Sequence, residues 1–152
     1  MKKIWILLSL CLLFSACATQ SKELDLQAAA QRVMESYEAN AFVRADEDFV
    51  ATNFGTPEYL EEAAVYYTKN GDGTEFGFFR LSDARYTADM ERAIKDYLAS
   101  ERESVEALAA LYPAEELQAR LARFDGATVG AKGDTAYYFL TDPAIAKTVL
   151  GS

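Results

Sequence analysis

Two ring-rich stretches separated by Asn70-Gly71-Asp72-Gly73 constrain the fold more than any other feature of the chain. Glu62 to Lys69 (EAAVYYTK) and Glu75 to Leu81 (EFGFFRL) are rich in aromatic and β-branched residues, which suit a pleated strand. Asn-Gly and Asp-Gly pairs reach the positive φ values that a tight hairpin turn demands. The segment therefore predicts an antiparallel hairpin. A calcium loop is the competing reading of these oxygen-bearing residues. It fails on spacing, because Leu81 stands where an EF-hand loop begun at Asn70 needs a bidentate Glu.

Ala127 to Ala131 and Thr135 to Thr141 predict a second hairpin across Lys132-Gly133-Asp134. Around the hairpins lie helical patterns. Leu24, Leu26, Ala30, Val33, Met34 and Tyr37 give an apolar stripe over about Glu23 to Glu38. A short helical turn around Asp48 to Phe54 is stopped by Gly55 and Pro57. Met90, Ile94, Tyr97, Leu98, Val105 and Leu108 share one face of a long helix from about Thr87 to Leu111. Pro113 suits the first turn of a further helix that turns Leu117, Leu121 and Phe124 inward. Asp142 is placed to cap a last helix from Pro143 to about Leu150. The order α-β-β-α-α-β-β-α predicts one α+β domain over residues 23–152, with a four-stranded antiparallel sheet built from two hairpins.

A sheet covered on one face alternates apolar with polar residues. Here Val65-Tyr66-Tyr67, Phe78-Phe79 and Tyr137-Tyr138-Phe139 put apolar groups on both faces. Either the first helix covers one face and the long helix the other, or one face shows its rings to a partner, as exposed apolar patches do. On the second reading Tyr66, Tyr67, Tyr137 and Phe139 are the candidate ligand or partner surface.

The first residues read as a targeting segment. Met1-Lys2-Lys3 is positive, Ile4 to Phe14 is apolar except for Ser9, and Ser15-Ala16 leads to Cys17. These are the parts of a secretory signal peptide, and the apolar run falls short of the roughly 20 residues of a membrane span. Phe14-Ser15-Ala16-Cys17 resembles the lipobox of bacterial lipoproteins, with Phe14 in place of the usual Leu. That resemblance implies cleavage after residue 16, diacylglyceryl lipid on the Cys17 thiol, and export to the outer face of a membrane. Ordinary secretion, with cleavage after Ala16 and a free Cys17, is the alternative. Residues 17–22 form a lipidated cysteine and a short polar tether. Its five residues after Cys17 reach less than about 20 Å when fully extended.

Cleavage leaves 136 of the 152 residues, and takes two of the 15 Lys and Arg but none of the 24 acids, for a mature net charge of −11. So acidic a chain, without a basic stripe, repels phosphate backbones, and nucleic acid is not an expected partner. The mature chain has no His and no cysteine but Cys17, so an internal disulfide, a Ser-His-Asp or Cys-His arrangement and a thiolate or imidazole metal site are all excluded. No Ser-x-x-Lys pairing and no phosphate-cradling glycine motif is present, and no cofactor is expected.

From about Leu24 to Leu150 the chain resembles the bacterial lipoprotein family called domain of unknown function 4358. The likeness rests on Cys17 after the signal, the Phe54-Gly55 step, AAVYYTKNGDGTEFGFFRLSD, Tyr112-Pro113-Ala114-Glu115-Glu116-Leu117, and the glycine turn before TAYYFLTD. It implies a Gram-positive cell-surface location and brings no activity or catalytic residue. Asp46, Glu47 and Asp48, with Glu58, Glu61 and Glu62, could serve acid-base work or hold a cation, although charge runs are most simply solvated surface. The leading expectation is a non-enzymatic surface lipoprotein, anchored to the membrane through Cys17, that binds a membrane-proximal protein or a cell-envelope ligand. The alternatives are a cation-dependent or acid-base hydrolase of envelope material using acids such as Asp46, Asp48 or Glu62, and a structural subunit without a small ligand.

Overall fold

Five strands, one more than the two hairpins supply, make up a single antiparallel sheet in the order β1-β2-β3-β5-β4. The computed structural model describes residues 24–112 and 114–151. The signal peptide, Cys17 and the tether therefore lie outside the described residues, as does Pro113. The strands are β1 (Phe42–Arg44), β2 (Leu60–Thr68), β3 (Glu75–Leu81), β4 (Thr128–Lys132) and β5 (Thr135–Leu140). The helices are α1 (Leu26–Met34), α2 (Glu47–Phe54), α3 (Thr87–Leu111), α4 (Glu115–Asp125) and α5 (Pro143–Leu150), with a 3-10 turn over Ala84–Tyr86 before α3.

The α+β class holds, while the four-stranded sheet is corrected to five strands. The extra strand, β1, pairs Val43 with Tyr67 and Arg44 with Tyr66 along the outer edge of β2. Its three residues show too little alternation to be read locally, since strand signals need runs of four to eight. The expected helical turn after it is a capped helix: the Asp46 side chain accepts from the Phe49 amide at 2.8 Å. α1 starts later than expected because Asp25 caps it, accepting from the Ala28 amide at 2.9 Å. α4 begins at Glu115, with Ala114 as its N-cap.

Both faces of the sheet are covered, so Phe76, Phe78, Phe79, Tyr138 and Phe139 are core rather than display, while Tyr66, Tyr67 and Tyr137 stay half-buried. Phe76, Phe78, Phe139 and Ala64 meet Leu26, Ala29, Ala30 and Val33 of α1 and Ala146, Val149 and Leu150 of α5. On the other face Val65, Phe79, Leu81, Ala136, Tyr138 and Leu140 meet α2 and the Met90, Ile94, Tyr97 and Leu98 stripe of α3. Each such fully buried aromatic or aliphatic side chain contributes about 1.5–3 kcal/mol. Gly77 sits where the second layer is tightest: a Cβ there would lie 2.5 Å from the Tyr138 ring and 3.1 Å from Val65. None of the helices described is long and apolar enough to cross a membrane.

Candidate functional site

The four aromatic residues expected to form one surface do not share one. Strand alternation sends Tyr66, Tyr137 and Phe139 to the α1 and α5 side, and Tyr67 to the α2 and α3 side. Phe139 is 1% exposed and packs against Phe76 and Phe78, so it is withdrawn from any partner surface. Tyr66 stacks on Phe76 with ring centroids 5.1 Å apart, and Tyr137 lies 5.7 Å from the Phe139 ring; both are half-buried.

The acids of the α2 region partly gather. Asp46, Glu47, Glu61 and Glu62 line one open groove with Arg44, whereas Asp48 is not part of its lining. Asp46 is engaged as the α2 cap, and Glu62 lies 4.0 Å from the Arg80 guanidinium. Among the described residues no three acids come together in a way that could hold a metal ion. The Asn70–Gly73 segment is the expected turn, with φ of 70° at Gly71 and 83° at Gly73. Asp72 accepts from the Thr68 hydroxyl at 2.7 Å and the Thr74 amide at 2.8 Å, so its carboxylate closes the turn. Burial opposes its charge, but these bonds and the Arg123 guanidinium outweigh burial and hold the carboxyl below its usual range.

A third place gathers groups that the local sequence did not single out. Glu75 opens β3 on the face toward α3, and its carboxylate accepts from the Tyr97 hydroxyl at 3.0 and 3.1 Å and from the Tyr138 hydroxyl. Burial pushes the Glu75 carboxyl up, against both hydroxyls, and the Glu101 charge adds to the rise. Tyr97 and Tyr138 are raised in turn by their own burial and by the Glu75 charge. Above this trio a cleft of about 260 Å³ is walled by Phe49, Tyr67 and Tyr97, with Glu101 of α3 and Arg120 of α4 at its sides and the 70–73 turn along its rim. The Phe49 ring lies 5.9 Å from Tyr67 and 6.2 Å from Tyr97.

Arg120 is the unusual member. Its stem lies over Gly73, where a Cβ would sit 3.0 Å from the Arg120 Cγ and 3.1 Å from Nε. The Nε is buried and has no hydrogen-bond partner, and the guanidinium enters none of the ion pairs among the described residues. An unmet buried donor costs about 1–3 kcal/mol. Glu75 had a weak signal, an acid in register with Gly77, Phe79 and Leu81 on a covered face, whereas Arg120 had none on the charged helix α4. Only the fold brings them to one cleft. No protein-family model matches the chain, and no curated protein or solved structure matches it either.

Proposed function

We propose that the chain is an exported lipoprotein, held at the outer face of the membrane by lipid on Cys17, whose domain is a non-enzymatic binding module. The observation that carries the binding reading is the cleft under α3 and α4, where an arginine without an ion-pair partner among the described residues stands beside an aromatic wall. Specific small-ligand sites combine an apolar wall with a few placed polar groups, and this cleft has both. Of the four rings expected to meet a partner, Tyr67 is the one that lines it. The site thus lies on the opposite side of the sheet from Tyr66 and Tyr137, near the turn of the first hairpin.

A hydrolase using the α2 acids is the second reading, favoured by Asp46, Glu47, Glu61 and Glu62 lining one groove. Against it, Asp46 already serves as a helix cap and Asp48 stands apart. A structural subunit would also have both sheet faces covered, as here; the unmet Arg120 donor speaks for a ligand instead.

The test uses the lipidated protein on intact cells with a photo-crosslinking phenylalanine analogue at Tyr67 or, as control, at Tyr66. The two positions are adjacent in sequence and face opposite sides of the sheet. A discrete adduct at position 67 and none at 66 supports the cleft. The same adducts from both positions, or none from either, overturn it. In parallel, Cys17→Ser moves the product from the membrane fraction to the medium; a variant still held as firmly as the wild type would end the anchoring reading.

A further inference from the structure

We infer that the cleft takes a free α-amino acid with an apolar or aromatic side chain, its carboxylate on Arg120 and its ammonium on Glu101. The inference rests on the binding reading of the same cleft and adds the ligand class. Arg120 presents a forked donor set without an anionic partner among the described residues, and carboxylates match a guanidinium in a bidentate manner. Glu101 is half-buried on α3, lines the same cleft, and takes part in no ion pair among the described residues. The cleft therefore has one open positive group and one open negative group, carried on two neighbouring helices.

The floor of the cleft argues against other charge patterns. Both Glu75 oxygens are engaged by tyrosine hydroxyls, so Glu75 is not the anion that satisfies Arg120. A ligand carrying several negative charges, such as a phosphate ester, would meet Glu101 and the field of a chain at −9 before any cleavage. A purely cationic ligand would leave Arg120 unmet and facing a like charge. A dipolar ligand with no net charge satisfies both groups. The volume of about 260 Å³ lies below the range of roughly 300–1,000 Å³ typical of drug-sized sites, which suits a ligand of single-residue size. Phe49, Tyr67 and Tyr97 then receive its side chain.

Isothermal titration of the lipidated protein in nanodiscs tests this directly, with phenylalanine, leucine and alanine as probes. N-acetylphenylalanine removes the ammonium, and phenylalanine amide removes the carboxylate. The expected result is binding of phenylalanine or leucine tighter than of alanine, and at least a tenfold loss for each blocked derivative. Arg120→Gln abolishes the discrimination between phenylalanine and its amide, while Glu101→Gln abolishes that between phenylalanine and its N-acetyl form. Arg120→Lys, which keeps the charge, retains part of the discrimination, and circular dichroism with thermal melting checks that each variant is folded. Equal binding of blocked and free forms overturns the inference, as does no binding of any free amino acid at millimolar concentration. If amino acids fail to bind while the crosslinker at position 67 still yields its adduct, the ligand class falls and the cleft as a binding site stands.

Discussion

Glu75 is the residue whose ionisation the fold opposes most visibly among the carboxyls of the cleft. Burial raises its carboxyl above the ordinary 4.5, and the two tyrosine hydroxyls only partly offset this. The folded chain therefore binds that proton more tightly than the unfolded chain does. Below pH 4.5 both states are protonated and the group's contribution to stability is fully present. As pH rises from there through the raised folded value, the unfolded state loses its proton first and stability falls, by at most about 1.4 kcal/mol per pH unit. Glu75→Gln removes this slope while keeping an acceptor for the hydroxyls, so its stability relative to the wild type improves between pH 4.5 and 7. Urea unfolding of both proteins across that range is the measurement, and parallel stability curves would refute the idea. Asp72 does not confuse the comparison: its carboxyl is lowered, so the stability it adds is lost only as pH falls below its ordinary 3.8. Neither role was legible in the sequence. Glu75 reads there as the first residue of a strand, and its burial depends on Tyr97 and Tyr138, 22 and 63 residues away.

At the scale of elements, the features set by local chemistry were legible and those set by distant partners were not. β3, α3 and the helix after Asp142 have the bounds expected from alternation, stripe and cap. β1 escaped because Phe42–Arg44 becomes a strand only through pairing with Tyr66, Tyr67 and Thr68. The partner surface failed for a related reason: period-two alternation separates Tyr66 from Tyr67 whatever the helices do. What decided between core and display was coverage by α1 and α5, which no single strand reveals. The two readings of Asp46 can be separated at this scale. As a cap it satisfies a free helix amide, and Asp46→Ala should cost about 1 kcal/mol. Asp46→Asn keeps the acceptor and should leave thermal unfolding nearly unchanged, although it removes a general base. An Asn variant as destabilised as the Ala variant would show that the charge, not the cap, matters at this position.

The proposed anchor would give the whole molecule a direction, set by where Leu24 sits in the fold. The Leu24 carbonyl accepts from Arg80 Nη2 at 2.8 Å, which places the start of the domain at the C-terminal end of β3. α3 begins a few residues beyond that end and reaches the opposite end of β3 at Tyr97, where it meets Glu75. From Tyr97 to Leu111 it continues for 14 residues, about 21 Å at 1.5 Å per residue, with α4 packed along it through the Arg102–Asp125 pair. The far end carries the exposed side chains Leu108, Leu111 and Tyr112, at 42%, 75% and 66% exposure. Cys17 is seven residues from Leu24, so whatever path the chain takes, the two lie within about 25 Å. On the proposed anchoring, lipid at Cys17 would hold the Leu24 end near the bilayer, and the α3 tip would be the part most able to stand away from it. The proposed mature chain would carry no cysteine but Cys17, whose thiol acylation would consume, so an introduced cysteine would be a unique label site. A fluorophore on Gln27→Cys, at the exposed start of α1, should be quenched by nitroxide lipids in nanodiscs, and one on Leu111→Cys should be quenched far less. Equal quenching at the two positions would mean that the α3 tip lies as close to the headgroups as the start of α1, and would refute this orientation.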